Sequence, residues 1–151
     1  MSPMPRLIAR VLLASGLLAA GSAQALDFLS VASRAAILYD QPAASAHKVA
    51  VVSRYLPLEV VLTQGDWVKV RDASGKLSWI ERRALDKKRY LLVIVPLADV
   101  RLAADPNAAV LFRVSQQGVL EWLENTQTGW IQVRHPDGLT GYVSTADVWG
   151  D

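Results

Sequence analysis

Two stretches decide the fold, WVKVRDASGKLSWIERRAL at 67–85 and WIQVRHPDGLTGYVSTADV at 130–148. Set side by side at an offset of 63, Trp67, Val70, Arg71, Gly75 and Trp79 meet Trp130, Val133, Arg134, Gly138 and Tyr142. Upstream, Leu58 and Glu59 meet Leu120 and Glu121 at an offset of 62, so one residue is inserted between the two blocks. The chain therefore holds a duplicated unit of about 60 residues, the length of a small domain and not the period of a many-copy solenoid.

Each unit has a strand-like pattern, with short β-branched and aromatic runs broken by Gly, Pro, Asp and Asn and no useful helical stripe. Strands are predicted at 29–38, 49–54, 58–63, 67–71 and 77–81, and again at 91–95 with 100–102, 110–114, 119–124, 130–134 and 140–143. Turns fall at Gly65-Asp66, Ala73 to Gly75, Gln127 to Gly129 and Pro136 to Gly138, where glycine supplies positive φ and Asp or Pro starts the bend. Five short strands in a unit too small for a sandwich favour an all-β fold of two tandem, partly open barrels.

Outward from this pair, residues 1–25 have the order of a secretory signal: basic Arg6 and Arg10, an apolar run from Val11 to Ala20, and an Ala23-Gln24-Ala25 exit. Ser15 and Gly16 interrupt an apolar run about half of the roughly 20 residues a membrane span needs, so a cleaved leader is expected rather than an integral membrane anchor. Residues 26–86 form the first unit, 87–89 (Lys-Lys-Arg) a basic, solvated linker, and 90–151 the second unit.

The chain has no cysteine, which removes disulfides, thiolate nucleophiles and a lipoprotein exit together. Its pI near 9.1 depends on the leader, because the remaining 126 residues carry fourteen basic and fourteen acidic side chains. Nucleic acid and anionic membrane surfaces thereby lose their electrostatic basis as partners. The charge is uneven within that balance: eleven basic and seven acidic residues from Leu26 to Arg89, three and seven from Tyr90 onward, +4 against −4.

The repeat resembles the third-to-fourth-strand hairpin of bacterial SH3 domains, whose usual line reads G-W-x-x-V, N-G-x-x-G-W-V. The second unit matches better, through Gly129-Trp130 and Gly141-Tyr142-Val143, and Asp99-Val100-Arg101 before Asp105-Pro106 is similar to the family's N-V-R-x-x-P. In the first unit Asp66 and Ser78 stand in place of those glycines, and Leu38-Tyr39 in place of Val-Arg. Ala36 to Asp40 also echoes the A-L-Y-D signature of eukaryotic SH3 domains, but the Trp-Trp step and the closing P-x-x-Y are missing, which argues against proline-rich ligands. The resemblance implies a non-catalytic binding module of the bacterial envelope, periplasmic or secreted, with peptidoglycan or an envelope protein as partner. A scaffold in which both barrels dock as one rigid body, without affinity for the wall, is the alternative.

No catalytic constellation opposes that reading. His47 and His135 lie in different units without metal-site spacing, so no metal, cofactor or catalytic residue is expected. Glu121 and Glu124, three apart on a strand, are expected on opposite faces. Strand alternation turns Val68, Val70, Ile80, Ile131, Val133 and Val143 inward and Trp67, Trp79, Trp130 and Tyr142 outward, with Lys69 opposite Trp79 and Gln132 opposite Tyr142. These four aromatics, with Tyr39 and Arg101 at the long loops, are the candidate ligand-binding residues. A surface suited to a sugar ring or an apolar side chain and ordinary packing under a loop or the other unit are both open.

Overall fold

The computed structural model describes residues 26–151, so the expected leader at 1–25 lies outside the described residues. The first unit runs β1 (Phe28–Val31), β2 (Ala35–Tyr39), β3 (Lys48–Ser53), β4 (Pro57–Gln64), β5 (Trp67–Arg71), β6 (Leu77–Glu81), a 3-10 turn (Arg82–Ala84) and β7 (Leu85–Asp86). The second runs β8 (Tyr90–Val93), β9 (Leu97–Arg101), β10 (Val110–Ser115), β11 (Val119–Asn125), β12 (Trp130–Arg134), β13 (Thr140–Ser144), a 3-10 turn (Thr145–Asp147) and β14 (Val148–Trp149). The sheets are ordered β3-β2-β6-β5-β4-β1-β7 and β10-β9-β13-β12-β11-β8-β14, the same path twice, and every pairing in them is antiparallel. Each sheet curls around its own core without its two edge strands bonding, so the barrels are open.

Alternation builds the cores. Val68, Val70 and Ile80 join Val31, Ala36, Leu38 and Leu58 in the first; Ile131, Val133 and Val143 join Leu91, Val93, Ala98, Val100, Leu120 and Val148 in the second. Fully burying a Val, Leu or Ile side chain is worth about 1.5–3 kcal/mol, so these clusters are the main stabilising term of a chain without disulfides.

The predicted strand 29–38 is in fact two, because the chain bends at Ser33-Arg34, where neither Gly nor Pro announces a break. The last strand of each unit, two residues long after a 3-10 turn, is also additional to the prediction. The inserted residue sits in one turn: Gly65-Asp66 joins β4 to β5, while Thr126 to Gly129 joins β12 to β11, which ends one position earlier than β4. Both hairpins bulge at matching places, Val61 and Leu123. The second bulge corrects the expectation for the two glutamates: Glu121 pairs with Arg134 and Glu124 with Gln132, two residues apart on one face.

The two units are docked. Tyr55 stacks on Tyr90 with ring centroids 4.4 Å apart, and Phe28 meets Trp149 edge-on at 5.0 Å. Ser30 Oγ donates to the Lys88 carbonyl at 2.6 Å, and Arg89 Nη2 donates to the Gly150 carbonyl at 2.7 Å. Of the basic segment, Lys87 and Lys88 are solvated as expected, whereas the Arg89 guanidinium lies 4.6 Å from the Trp122 ring and 5.8 Å from that of Phe28. Among the described residues no helix is long and apolar enough to cross a membrane.

Candidate functional site

The register places Lys69 opposite Trp79 and Gln132 opposite Tyr142, as alternation requires, and adds a second neighbour to each aromatic: Tyr39 beside Trp79, Arg101 beside Tyr142. The six candidate residues thus gather into two equivalent trios, Tyr39/Trp67/Trp79 and Arg101/Trp130/Tyr142, each at the foot of its unit's long loop.

In the first unit the trio is aromatic. Tyr39 meets Trp67 edge-to-face, centroids 5.3 Å apart at 88°, the arrangement favoured by the ring quadrupoles. Of the two alternatives for the outward aromatics, Trp79 takes that of packing. The residue is on the outward side of the sheet, yet only 9% exposed, and Lys69 Nζ lies 5.9 Å from its ring centroid. Tyr39 is likewise buried. Central β6 is flanked by β2 and β5, whose large side chains close over it. Trp79 and Tyr39 are therefore packed, and Trp67, half-buried, is the most exposed aromatic of the trio.

Two clefts meet beside Tyr39 and Trp67, and Trp79 lines neither. One of about 410 Å³ is lined by Tyr39, Ile37, Ala35 and Ile80, another of about 680 Å³ by Trp67, Ala44 and Arg82, and both by Glu81 and Arg83. Arg83 is ion-paired with Glu81. The E-R-R segment 81–83 was absent from the sequence candidates, although it lies within one of the two deciding stretches. Its signal was the contrast with Ser144-Thr145-Ala146 at the same place in the second copy.

In the second unit, Arg101 is committed to its own loop. Its Nη1 donates to the Ala108 carbonyl at 2.8 Å and its Nη2 to Asp99 Oδ2 at 3.1 Å, while Asp99 Oδ1 accepts from Arg113 Nε at 2.7 Å. Arg101 thus pins the loop 102–109, with both Nη atoms committed within its own domain. Trp130 and Tyr142 are both half-buried.

The histidines stay apart. His47 is exposed in the first long loop, and His135 Nδ1 lies 2.9 Å from Asp137 Oδ1 with its ring against Phe112. Asp137 has its pKa lowered, first by the Leu139 backbone N–H and further by the His135 side chain. Among the described residues no group of three or more His, Cys, Asp or Glu side chains could hold a metal ion.

Among solved structures, NlpC2 and NlpC1 from Trichomonas vaginalis are similar at 11% and 12% identity, each with TM-score 0.40, over 86% and 88% of this chain and 50% and 49% of theirs. An NlpC/P60 family protein from Bacillus cereus is similar at 17% identity and TM-score 0.37, over 81% of this chain and 55% of its own. The chain spans about half the length of these structures. No curated protein matches. Two family models, each described as a bacterial SH3 domain, match residues 32–87 and 97–148. These two matches take in most of both sheets, all but β1 and β8, with the aromatic trio and its counterpart, and the chain belongs to the bacterial SH3 family, with two such domains in tandem.

Proposed function

We propose that this protein is an exported, non-catalytic binding module of the cell envelope, periplasmic or secreted, whose first domain captures peptidoglycan in the cleft beside Trp67. The observation that carries the reading is the Tyr39–Trp67 pair at the junction of two clefts, with Glu81, Arg82 and Arg83 around it. An aromatic ring beside charged groups suits a sugar ring or a short peptide, with the edge-on contact of Tyr39 holding Trp67 at small entropic cost. Sedimentation with purified wall sacculi tests it: the protein co-sediments, Trp67→Ala stays in the supernatant, and the double variant Trp130→Ala/Tyr142→Ala keeps most of its binding. A Trp67→Ala protein that is folded and still sediments would overturn the site.

A second reading, a scaffold that binds an envelope protein and has no wall affinity, is favoured by the seam. Arg89 held between Phe28 and Trp122 supports a rigid two-domain body. Failure of the intact protein to sediment, with capture of an envelope protein instead, selects it. Export has its own test, an intact mass beginning at Leu26.

A further inference from the structure

The duplication offers an internal control for one ion pair. In the first domain, Arg71 Nη1 donates to both Glu59 oxygens at 3.1 Å, and the buried carboxylate is satisfied by its own domain. The equivalent residues of the second domain are Arg134 and Glu121, and there the pair has opened. Glu121 Oε1 is shared between Arg134 Nη1 at 3.6 Å and Lys88 Nζ at 3.4 Å, the lysine having entered from the interdomain segment. Two cations face one carboxylate. The Arg134 guanidinium makes no hydrogen bond among the described residues, and its five N–H groups form a planar fork matched to a carboxylate.

These groups line a cavity of about 230 Å³ at the seam, with Tyr55 and Tyr90 as one wall and Val119 and Pro136 in its lining. The stacked phenol rings give that wall a flat apolar surface. Lys88 keeps its charge there, its pKa raised by the Tyr90 hydroxyl and then by Glu121. His135 is on the rim, its Nδ1 2.9 Å from Asp137 Oδ1, and within the lining Lys88 and Arg134 face the single Glu121 carboxylate, two cations against one anion. Clefts between domains are a preferred place for small ligands.

We propose that this seam is a second binding site, distinct from the Trp67 cleft, which takes the free carboxylate of a short peptide between Arg134 and Lys88 and packs its small apolar side chains on the Tyr55–Tyr90 wall. The fork of Arg134 bonds both carboxylate oxygens and Lys88 adds a point charge. The first domain differs, because there Arg71 Nη1 is already committed to both oxygens of Glu59.

The test is an amide chemical-shift titration of the protein with N-acetyl-alanyl-alanine and with its C-terminal amide. The acid is expected to give saturable shifts at Tyr90, Glu121, Arg134 and His135, and the amide none there. Arg134→Gln, at a half-exposed side chain, should weaken the acid at least tenfold, Arg134→Lys should restore part of it, and the mirror variant Arg71→Gln should leave it unchanged. Equal shifts from acid and amide, no saturable seam response to the acid, or equal losses from Arg134→Gln and Arg71→Gln would each overturn the proposal. Since the Trp67 cleft is read by sacculus sedimentation, either site can fail without the other.

Discussion

The two domains follow one path through the same seven strands, yet spend equivalent positions differently. Beside its long loop the first domain sets Tyr39 edge-on to Trp67 and next to Trp79, whereas the second puts Arg101 where Tyr39 stands and uses it to tie the loop down. On the opposite flank the first domain closes its Glu59–Arg71 pair at 3.1 Å, and the second leaves Glu121–Arg134 open at 3.6 Å beside the seam. What is shared is the backbone and the inward-facing residues. What differs lies where long polar or aromatic side chains meet a loop or the other domain, so one sheet design presents two unlike surfaces.

The common part should be the hardest to alter. Val133→Asp and its mirror Val70→Asp each bury an unpaired carboxylate at a position with no solvent exposure, and are expected to cost about 3–5 kcal/mol, read as a collapse of the melting transition. If the docked seam couples the domains, either substitution drags down a single transition; two separate transitions would show that the domains unfold independently. A Val133→Asp variant with an unchanged melt would mean that the inward and outward faces are reversed.

Next comes a position where the domains have diverged. A Cβ at Gly141 would come within 2.7 Å of Val100 Cγ1 and 2.8 Å of the Arg101 carbonyl oxygen. Gly141→Ser should cost about 1–3 kcal/mol by overpacking, although serine is the native residue at the equivalent Ser78. The reverse exchange, Ser78→Gly, should cost only the entropy of a strand glycine, about 0.5–1 kcal/mol. Similar losses would mean that β13 approaches β9 no more closely than β6 approaches β2.

Arg101→Ala should release the loop 102–109. Losing two hydrogen bonds from a charged group, one of them to a backbone carbonyl, is expected to cost roughly 1.5–3 kcal/mol at most, because the side chain keeps some solvent contact. Faster hydrogen exchange confined to residues 103–108, with the loop 40–47 of the first domain unaffected, is the signature. A smaller loss is expected at the matched turns. Gly75 and Gly138 have φ of +86° and +96° with open space around the missing Cβ, so Gly75→Asp and Gly138→Asp should each cost on the order of 1 kcal/mol through the backbone alone. Melts that stay put would contradict the turn geometry.

The smallest effect concerns Asp147, whose counterpart in the first domain is Ala84. Partial burial, and then the charge of Asp99, raise its pKa. A carboxyl with a folded-state pKa above its unfolded one favours the folded state while protonated, and that advantage is lost as pH rises through the folded value. Asp147→Ala should therefore raise the melting midpoint slightly at neutral pH, with the gain vanishing as the pH falls below both values. A gain that persists in acid would trace it to packing instead.

Much of this was legible in the residues. β5, β6 and β12 begin and end where alternation placed them, and the turn glycines take positive φ where hairpins demanded it. The bend at Ser33-Arg34 was not legible, since it is held by distant backbone bonds, Val31 N to the Leu56 carbonyl and Ala32 N to that of Ala84. In the second domain Pro96 marks the corresponding break. Alternation put the four aromatics on the outward side of the sheets, but it cannot tell an outward side chain that meets water from one that meets another side chain, as with Trp79.

By itself the sequence determined the duplicated all-β unit, its hairpin register and its core, because a period of two and the φ demands of turns are local properties of the chain. Tertiary structure decided which outward residues stay accessible, and that Tyr55, Tyr90 and Arg89 make a seam. Their partners are 35 residues away for Tyr55 with Tyr90 and 61 for Arg89 with Gly150, and no local pattern encodes which distant surface will cover a side chain.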